Sequence, residues 1–338
     1  MRVYKTLGIM KINFILAFFA AAVLSLSGYR LAAQPAEFLN IPFAEPATMD
    51  GGTKTLNINI WKGVGDDPQP VVLFVHGGQW ELGNNDLIKT YVTPQSQTLL
   101  SLRESGITVA AAIYRFSGEA IFPAQVHDVK AAIRFLKANA QTYGIDPARI
   151  MIMGESAGAQ MALVAALSNG ETAMEGNVGG NLEFDSSVIA CVDCFGMADF
   201  LTLASDLYSR PDLGCTDAQI YELVEAPTSS RSRLFGLTTE ECNLGTVVAN
   251  PEKFPEQYAL VKEGSPIYHV TPDDPPVLIL NGQKDSRVAA AQSVKLYHAL
   301  YDAGVEATLL LDDRAPHGAL GPESQAVIKS YILRTLLK

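Results

Sequence analysis

The sequence predicts an α/β fold with a mostly parallel central sheet covered by helices on both faces. Two observations carry this. Short, continuous apolar runs of β-formers recur along the chain, as strands buried on both faces require. Segments with helical apolar spacing alternate with them. The length of 338 residues and the 48% hydrophobic content allow a sizeable core.

The elements follow in order. Leu56 to Trp61 alternates apolar and polar, as a strand does. Asp66 to Pro70 is a turn cluster, and Val71 to Val75 is a buried strand. Ile107 to Ile113 is the next. Between Phe122 and Ala140, Val126, Val129, Ile133, Leu136 and Ala140 recur at helical spacing. Arg149 to Met153 reads as a short strand, and Ala157 to Leu167, apolar nearly all round, as a buried helix. Ser187 to Val192 is strand-like. Residues 197 to 266 lack strong periodicity and read as an irregular, cap-like insertion. Val277 to Leu280 is a strand, Ala289 to Ala303 a helix closed by Gly304, Val305 to Leu311 a strand, and Glu323 to Leu337 a final helix.

The first residues differ from the rest. Lys5 and Lys11 precede a nearly pure apolar run from Ile12 to Leu26, followed by small and polar residues ending at Ala32-Ala33-Gln34. This reads as a secretory signal over residues 1–33, leaving 34–338 as the mature domain in the periplasm or outside the cell. The run is shorter than the roughly 20 residues of a membrane span, so no membrane association is expected after cleavage. The four cysteines are Cys191, Cys194, Cys215 and Cys242. In an exported protein an even number favours disulfides, and Cys215 with Cys242 is the expected pair, both in loop-like sequence. Cys191 lies in an apolar run and is expected as a buried thiol. No second C-x-x-C or nearby histidine completes a metal site around Cys191 and Cys194. The net charge of −11 argues against nucleic acid as a partner.

The chemistry is concentrated in four places. Gly154-Glu155-Ser156-Ala157-Gly158 stands between a predicted strand and a predicted helix, the context in which G-x-S-x-G exposes a nucleophile at the end of a sheet. Glycines on either side relieve the sharp turn, and the Ala157 amide at the helix start faces the place where an oxyanion develops. His76-Gly77-Gly78-Gln79-Trp80 follows the strand Val71–Val75. The Gly77 and Gly78 amides are the other oxyanion donors, and Gln79 and Trp80 are read as substrate-binding, with plain packing as the alternative for Trp80. His76 is expected to brace the turn. A serine hydroxyl needs a base. His317, in Ala315-Pro316-His317-Gly318 after the last strand, is the candidate, ahead of His76, His127, His269 and His298. Asp285 is the only acid in the loop Asn281–Asp285 after the preceding strand and is the orienting carboxylate. Its rivals Asp312 and Asp313 sit close to His317 and are read as capping the strand end. The order Ser, Asp, His is the one this kind of sheet uses.

From about Lys54 to Lys338 the chain resembles carboxylesterases of the α/β-hydrolase superfamily, in their hormone-sensitive-lipase-like and feruloyl- and acetyl-xylan-esterase-like branches. The matching segments are HGGQW, Tyr114-Arg115, FPAQVHDVKAAIRFLK from Phe122, GIDPARI from Gly144, GESAG, SPIYHV from Ser265, the Asp285 loop and APHG. The chain departs from the pattern at Gln79, usually a small residue, and at Asn281, often histidine. The resemblance implies hydrolysis of carboxylic esters through an acyl-serine, with no cofactor and no metal. Acetyl or feruloyl groups on plant polysaccharide are an implied substrate class beside small-molecule esters. Two alternatives share the fold: a serine peptidase of the prolyl-oligopeptidase type, for which no propeller segment precedes the hydrolase region, and a non-catalytic binding member.

Overall fold

The computed structural model describes residues 36–338 apart from 87, 88 and 90–92. The expected secretory segment at 1–33 lies outside the described residues. Eight strands form one sheet: β1 (Glu37–Ala44), β2 (Leu56–Trp61), β3 (Gln69–Val75), β4 (Thr108–Ala112), β5 (Ile145–Glu155), β6 (Cys191–Cys194), β7 (Val277–Gly282) and β8 (Ala307–Asp312). Their order across the sheet is β1-β2-β4-β3-β5-β6-β7-β8. The strands from β4 to β8 run parallel, whereas β2 is antiparallel to β4 and β1 antiparallel to β2.

The apolar runs have a simple consequence. Side chains alternate across a strand, so a run that is apolar at every position feeds two cores. Val71, Leu73 and Val75 of β3 enter one core, and Val72 and Phe74 enter the other. The first core is closed by α2 (Ala124–Ala138), α3 (Ala157–Leu167) and α4 (Ala290–Ala303), through residues such as Ile133, Met161 and Leu296. The second is closed by α1 (Pro94–Ser101) and α5 (Pro322–Leu336), through Leu99, Ile328 and Ile332. All eleven residues of α3 are buried, as its nearly uniform apolar sequence requires.

Two elements were not expected from the sequence. In β1 burial does not alternate and the pairing slips twice, so the strand carries no period-2 signal. Helix α1 is mixed in polarity but starts with Pro94 and a Thr93–Ser96 capping box, a local signal that periodicity does not register. The strand expected at Ser187–Val192 is displaced to β6. The preceding chain is bonded to β5 irregularly, with the Ile189 amide donating to the Ile150 carbonyl and the Ile152 amide to the Ala190 carbonyl.

The insertion between β6 and β7 is a set of short helices rather than irregular chain: Leu203–Tyr208, Asp217–Ile220, a π-helical turn Tyr221–Glu225, Ser230–Leu234, Leu244–Ala249 and Pro255–Glu263. Three begin with a side-chain cap from Thr216, Ser229 or Asn243, which suits helices too short to stand on propensity. The expected Cys215–Cys242 disulfide is not formed, and all four cysteines are free. Cys215 and Cys242 instead pack, half-buried, against the first core, where a thiol behaves as a small apolar side chain. Cys191 is a buried thiol, as expected.

Candidate active site

Because β3, β5, β7 and β8 are parallel, the loops that follow them lie at one edge of the sheet, where ligands of open α/β sheets bind. Each of those loops carries one part of the site.

Ser156 stands between β5 and α3 with φ 52° and ψ −117°, a backbone conformation that a residue with a side chain adopts only under constraint. Close packing imposes it. A Cβ on Gly154 would lie 2.3 Å from the Gly158 carbonyl oxygen, and one on Gly158 would lie 2.1 Å from that of Val75. The turn can therefore press β5, α3 and β3 together only with glycine on both sides of the serine.

His317 Nε2 lies 2.9 Å from Ser156 Oγ, and His317 Nδ1 lies 2.7 Å from Asp285 Oδ2. Asp285 is buried. Its other oxygen accepts from the amides of Arg287 (2.8 Å) and Val288 (2.9 Å), which fixes the carboxylate. The Phe195 ring, just past β6, meets the His317 ring edge-on at 4.9 Å. The three residues predicted as a triad are thus brought into one hydrogen-bonded chain, each at the end of a different strand. Asp312 accepts from the amides of Gly321, Arg314 and Ala315 and so braces the His317 loop, the capping part expected of it. Asn281 donates to the Val288 carbonyl and to Ser293 Oγ, tying the two ends of the Asp285 loop to α4.

The His76–Trp80 turn lies directly against Ser156. A Cβ on Gly77 would be 3.4 Å from Ser156 Cβ. Gly78 has φ 115°, and its Cβ would meet the Leu82 carbonyl oxygen at 2.0 Å. The turn is held by His76 Nδ1 donating to the Gly77 carbonyl (2.7 Å), by Tyr114 Oη donating to the His76 carbonyl (3.0 Å) and by stacking of those two rings at 4.4 Å. Burial pushes the His76 pKa down to about 4, so the ring is neutral and braces the turn.

The reading of Trp80 as substrate-lining is corrected. Trp80 is fully buried, donates through Nε1 to Gln160 Oε1 (3.1 Å) and packs on Phe200, so it supports the turn from below. Gln79 is half-buried, with φ 59°, and its Oε1 faces Arg231 Nη1 at 3.4 Å. The remaining histidines lie elsewhere, His298 exposed on α4. His269 contacts Glu171 and the Glu263 carbonyl, and His127 contacts the Ala173 carbonyl.

Gln160, Phe195 and Arg231 were missed by the sequence reading. Gln160 had a signal: it is a lone amide in an apolar helix, and a buried polar group needs partners. It accepts from Trp80 and donates to the Gly264 carbonyl (2.7 Å), linking the turn to the insertion. Phe195 and Arg231 had none: Phe195 is placed by the end of β6, where its amide donates to the Leu280 carbonyl, and Arg231 by the path of the insertion. Glu155, next to Ser156, and Asp193, on the neighbouring β6, carry carboxyls that burial pushes up to about 7.

With this geometry in place, comparison with known proteins identifies the family. The BD-FAE family model matches residues 58–300. The chain belongs to the BD-FAE family. Among its relatives, the esterase LipQ of Mycobacterium tuberculosis is 32% identical over 75% of this chain and 51% of its own length. The probable carboxylic ester hydrolase LipM of the same organism is 28% identical over 66% of this chain and 43% of its own. This BD-FAE chain thus spans about half the length of the curated relatives it matches. Among solved structures, a truncated carbohydrate esterase from gut microbiota superposes with a TM-score of 0.70 at 25% identity, covering 91% of this chain and 99% of that one. An acetyl ester-xyloside bifunctional hydrolase from Caldicellulosiruptor lactoaceticus, at 17% identity and TM-score 0.63 over 90% of this chain and 98% of its own, shares the fold.

Proposed function

We propose that this BD-FAE protein is a serine carboxylesterase that hydrolyses carboxylic esters through an acyl-serine. The observation that carries the reading is the hydrogen-bonded chain from Asp285 through His317 to Ser156. Ser156 Oγ attacks the ester carbonyl while His317 Nε2 takes its proton. The amides of Gly77, Gly78 and Ala157 stabilise the oxyanion. His317 gives the proton to the leaving alcohol. Water, activated by the same nitrogen, then releases the acid and restores Ser156. Asp285 holds the imidazole tautomer through Nδ1–H and stabilises the transient imidazolium.

Acetyl or feruloyl esters on plant polysaccharide are the finer substrate reading, beside small-molecule esters. It is supported by the likeness to a carbohydrate esterase. The helical insertion at 197–266 acts as a cap over the site, and residues 1–33 direct export. Hydrolysis of p-nitrophenyl acetate, butyrate and a longer-chain ester by the purified protein and by Ser156→Ala tests the core of the reading. The wild type is expected to turn over the short esters, and Ser156→Ala to lose about 10⁴-fold or more in kcat. A folded wild type inert to these esters, and to acetylated xylan and feruloyl esters, would overturn it.

A further inference from the structure

Arg231 lies in the insertion, on the short helix Ser230–Leu234, and is 2% exposed. A guanidinium has five N–H donors. Here the side-chain partners are Gln79 Oε1 at 3.4 Å and Ser230 Oγ at 3.3 Å, both long, and Nε has none. Among the described residues, no carboxylate lies within salt-bridge distance of Arg231. The two acids that attract it are committed elsewhere: Glu81 pairs with Arg233 at 2.6 Å, and Asp285 uses its two oxygens on His317 and on two amides.

A second cation aggravates the imbalance. Arg287 is exposed, follows Asp285 by two residues and is near enough to repel Arg231. Burial first, and then this repulsion, lower the Arg231 pKa to about 10, so it remains charged at neutral pH. Taking a charge out of water without a counter-ion costs several kcal/mol, and two like charges brought together add to it. A protein of net charge −11 has acids to spare, yet none pairs with the arginine at this point. The cation is linked through Gln79 to the turn that abuts Ser156.

Resting on the esterase reading, we propose that Arg231, with Gln79 and Arg287, forms an anion subsite beside the nucleophile, and that the preferred ester carries a carboxylate near its scissile bond. The free Nε edge of the guanidinium offers the side-on fork that a carboxylate accepts in two parallel hydrogen bonds. Gln79 Oε1 accepts from Nη1, outside the Nε–Nη2 fork, and holds the guanidinium in place. Charge-assisted bonds of this kind favour the anionic substrate by roughly 10- to 100-fold over a neutral ester of the same length.

The carboxylate can belong to the acyl part or to the alcohol part, and two substrate pairs separate these. The first compares p-nitrophenyl hemisuccinate with p-nitrophenyl butyrate. The second compares acetoxyacetate with propyl acetate, followed by acid release. Wild type is expected to favour the charged member of one pair by at least about 10-fold in kcat/KM, an advantage that shrinks as salt is raised. In Arg231→Gln that ratio should fall to about one, and Arg231→Lys should keep part of it. A wild type without preference in either pair overturns the proposal whether or not the variants fold. So does an Arg231→Gln enzyme that keeps the ratio. Inactivity on all four esters overturns the subsite, and the esterase reading falls with it only if acetylated xylan and feruloyl esters are inert as well; activity without charge preference overturns the subsite alone.

Discussion

At the scale of the residue, the site is a set of constraints on Ser156 and His317. The serine is held at positive φ because strand, helix and the His76–Trp80 turn meet where only glycine fits beside it. Such a conformation costs about 1–3 kcal/mol and persists only when the surroundings enforce it. The imidazole is enforced too, with Asp285 on Nδ1 and the edge of Phe195 against the ring. Asp285→Asn tests the proposed part of the acid. Its amide oxygen can still accept from the Arg287 and Val288 amides, so the loop should survive. Its NH2 can no longer accept from Nδ1–H, so the tautomer becomes the wrong one. We expect kcat to fall by about 10³- to 10⁴-fold with the unfolding midpoint nearly unchanged. A variant within ten-fold of wild type would remove Asp285 from that role.

At the scale of the element, the loops are positioned by staples between strands and helices. Arg115, just past β4, meets Asp128 of α2 through Nε and Nη2, and its backbone amide donates to the same carboxylate at 2.8 Å. Both side chains are buried, and the pair fixes the segment whose Tyr114 hydroxyl holds the His76–Trp80 turn. Removing one partner leaves the other charge stranded. Arg115→Met should therefore lower stability by about 3–5 kcal/mol, measured by denaturant unfolding. A loss below about 1 kcal/mol would mean that the pair is dispensable. The insertion is stapled as well: Arg210 donates to the Gln283 carbonyl, Gln160 to that of Gly264, and the Phe122 amide to that of Leu234. These bonds join the insertion to the Asp285 loop, to α3 and to the entry of α2.

At the scale of the whole molecule, the buried Asp193 of β6 sets a pH dependence of stability. Asp193 has one oxygen bonded to the Gly196 amide and the other unpartnered, and burial raises its pKa from 3.8 to about 7. The folded state therefore holds this proton over a range in which the unfolded chain has lost it. The group's contribution is fully present below about pH 4 and is lost as pH rises through about 7. Asp193→Asn keeps the bond to Gly196 and removes the charge. Its stability gain over wild type should be about 2–3 kcal/mol larger at pH 8 than at pH 5, read from denaturant unfolding at the two values. Equal gains at both pH values would show that Asp193 is ionised in the fold throughout.

The sequence by itself determined the layered architecture, because short runs of β-formers that are apolar at every position, alternating with segments of helical spacing, are accommodated as strands buried between two helical layers. It also determined the triad, because a parallel sheet sends every strand end to the same edge, so motifs after successive strands must converge. That made Ser156, Asp285 and His317 legible although they lie far apart in the chain. Tertiary structure alone decided what has no local period or motif. Strand β1 takes its register from β2 despite irregular burial, and the Cys215 and Cys242 thiols remain apart, each packed against the core. It also turned Trp80 inward onto Gln160 and brought Arg231 from the insertion to Gln79. Those positions depend on how a segment of short helices folds back over the sheet. Contacts between residues distant in sequence set that path, so local patterning carries no trace of it.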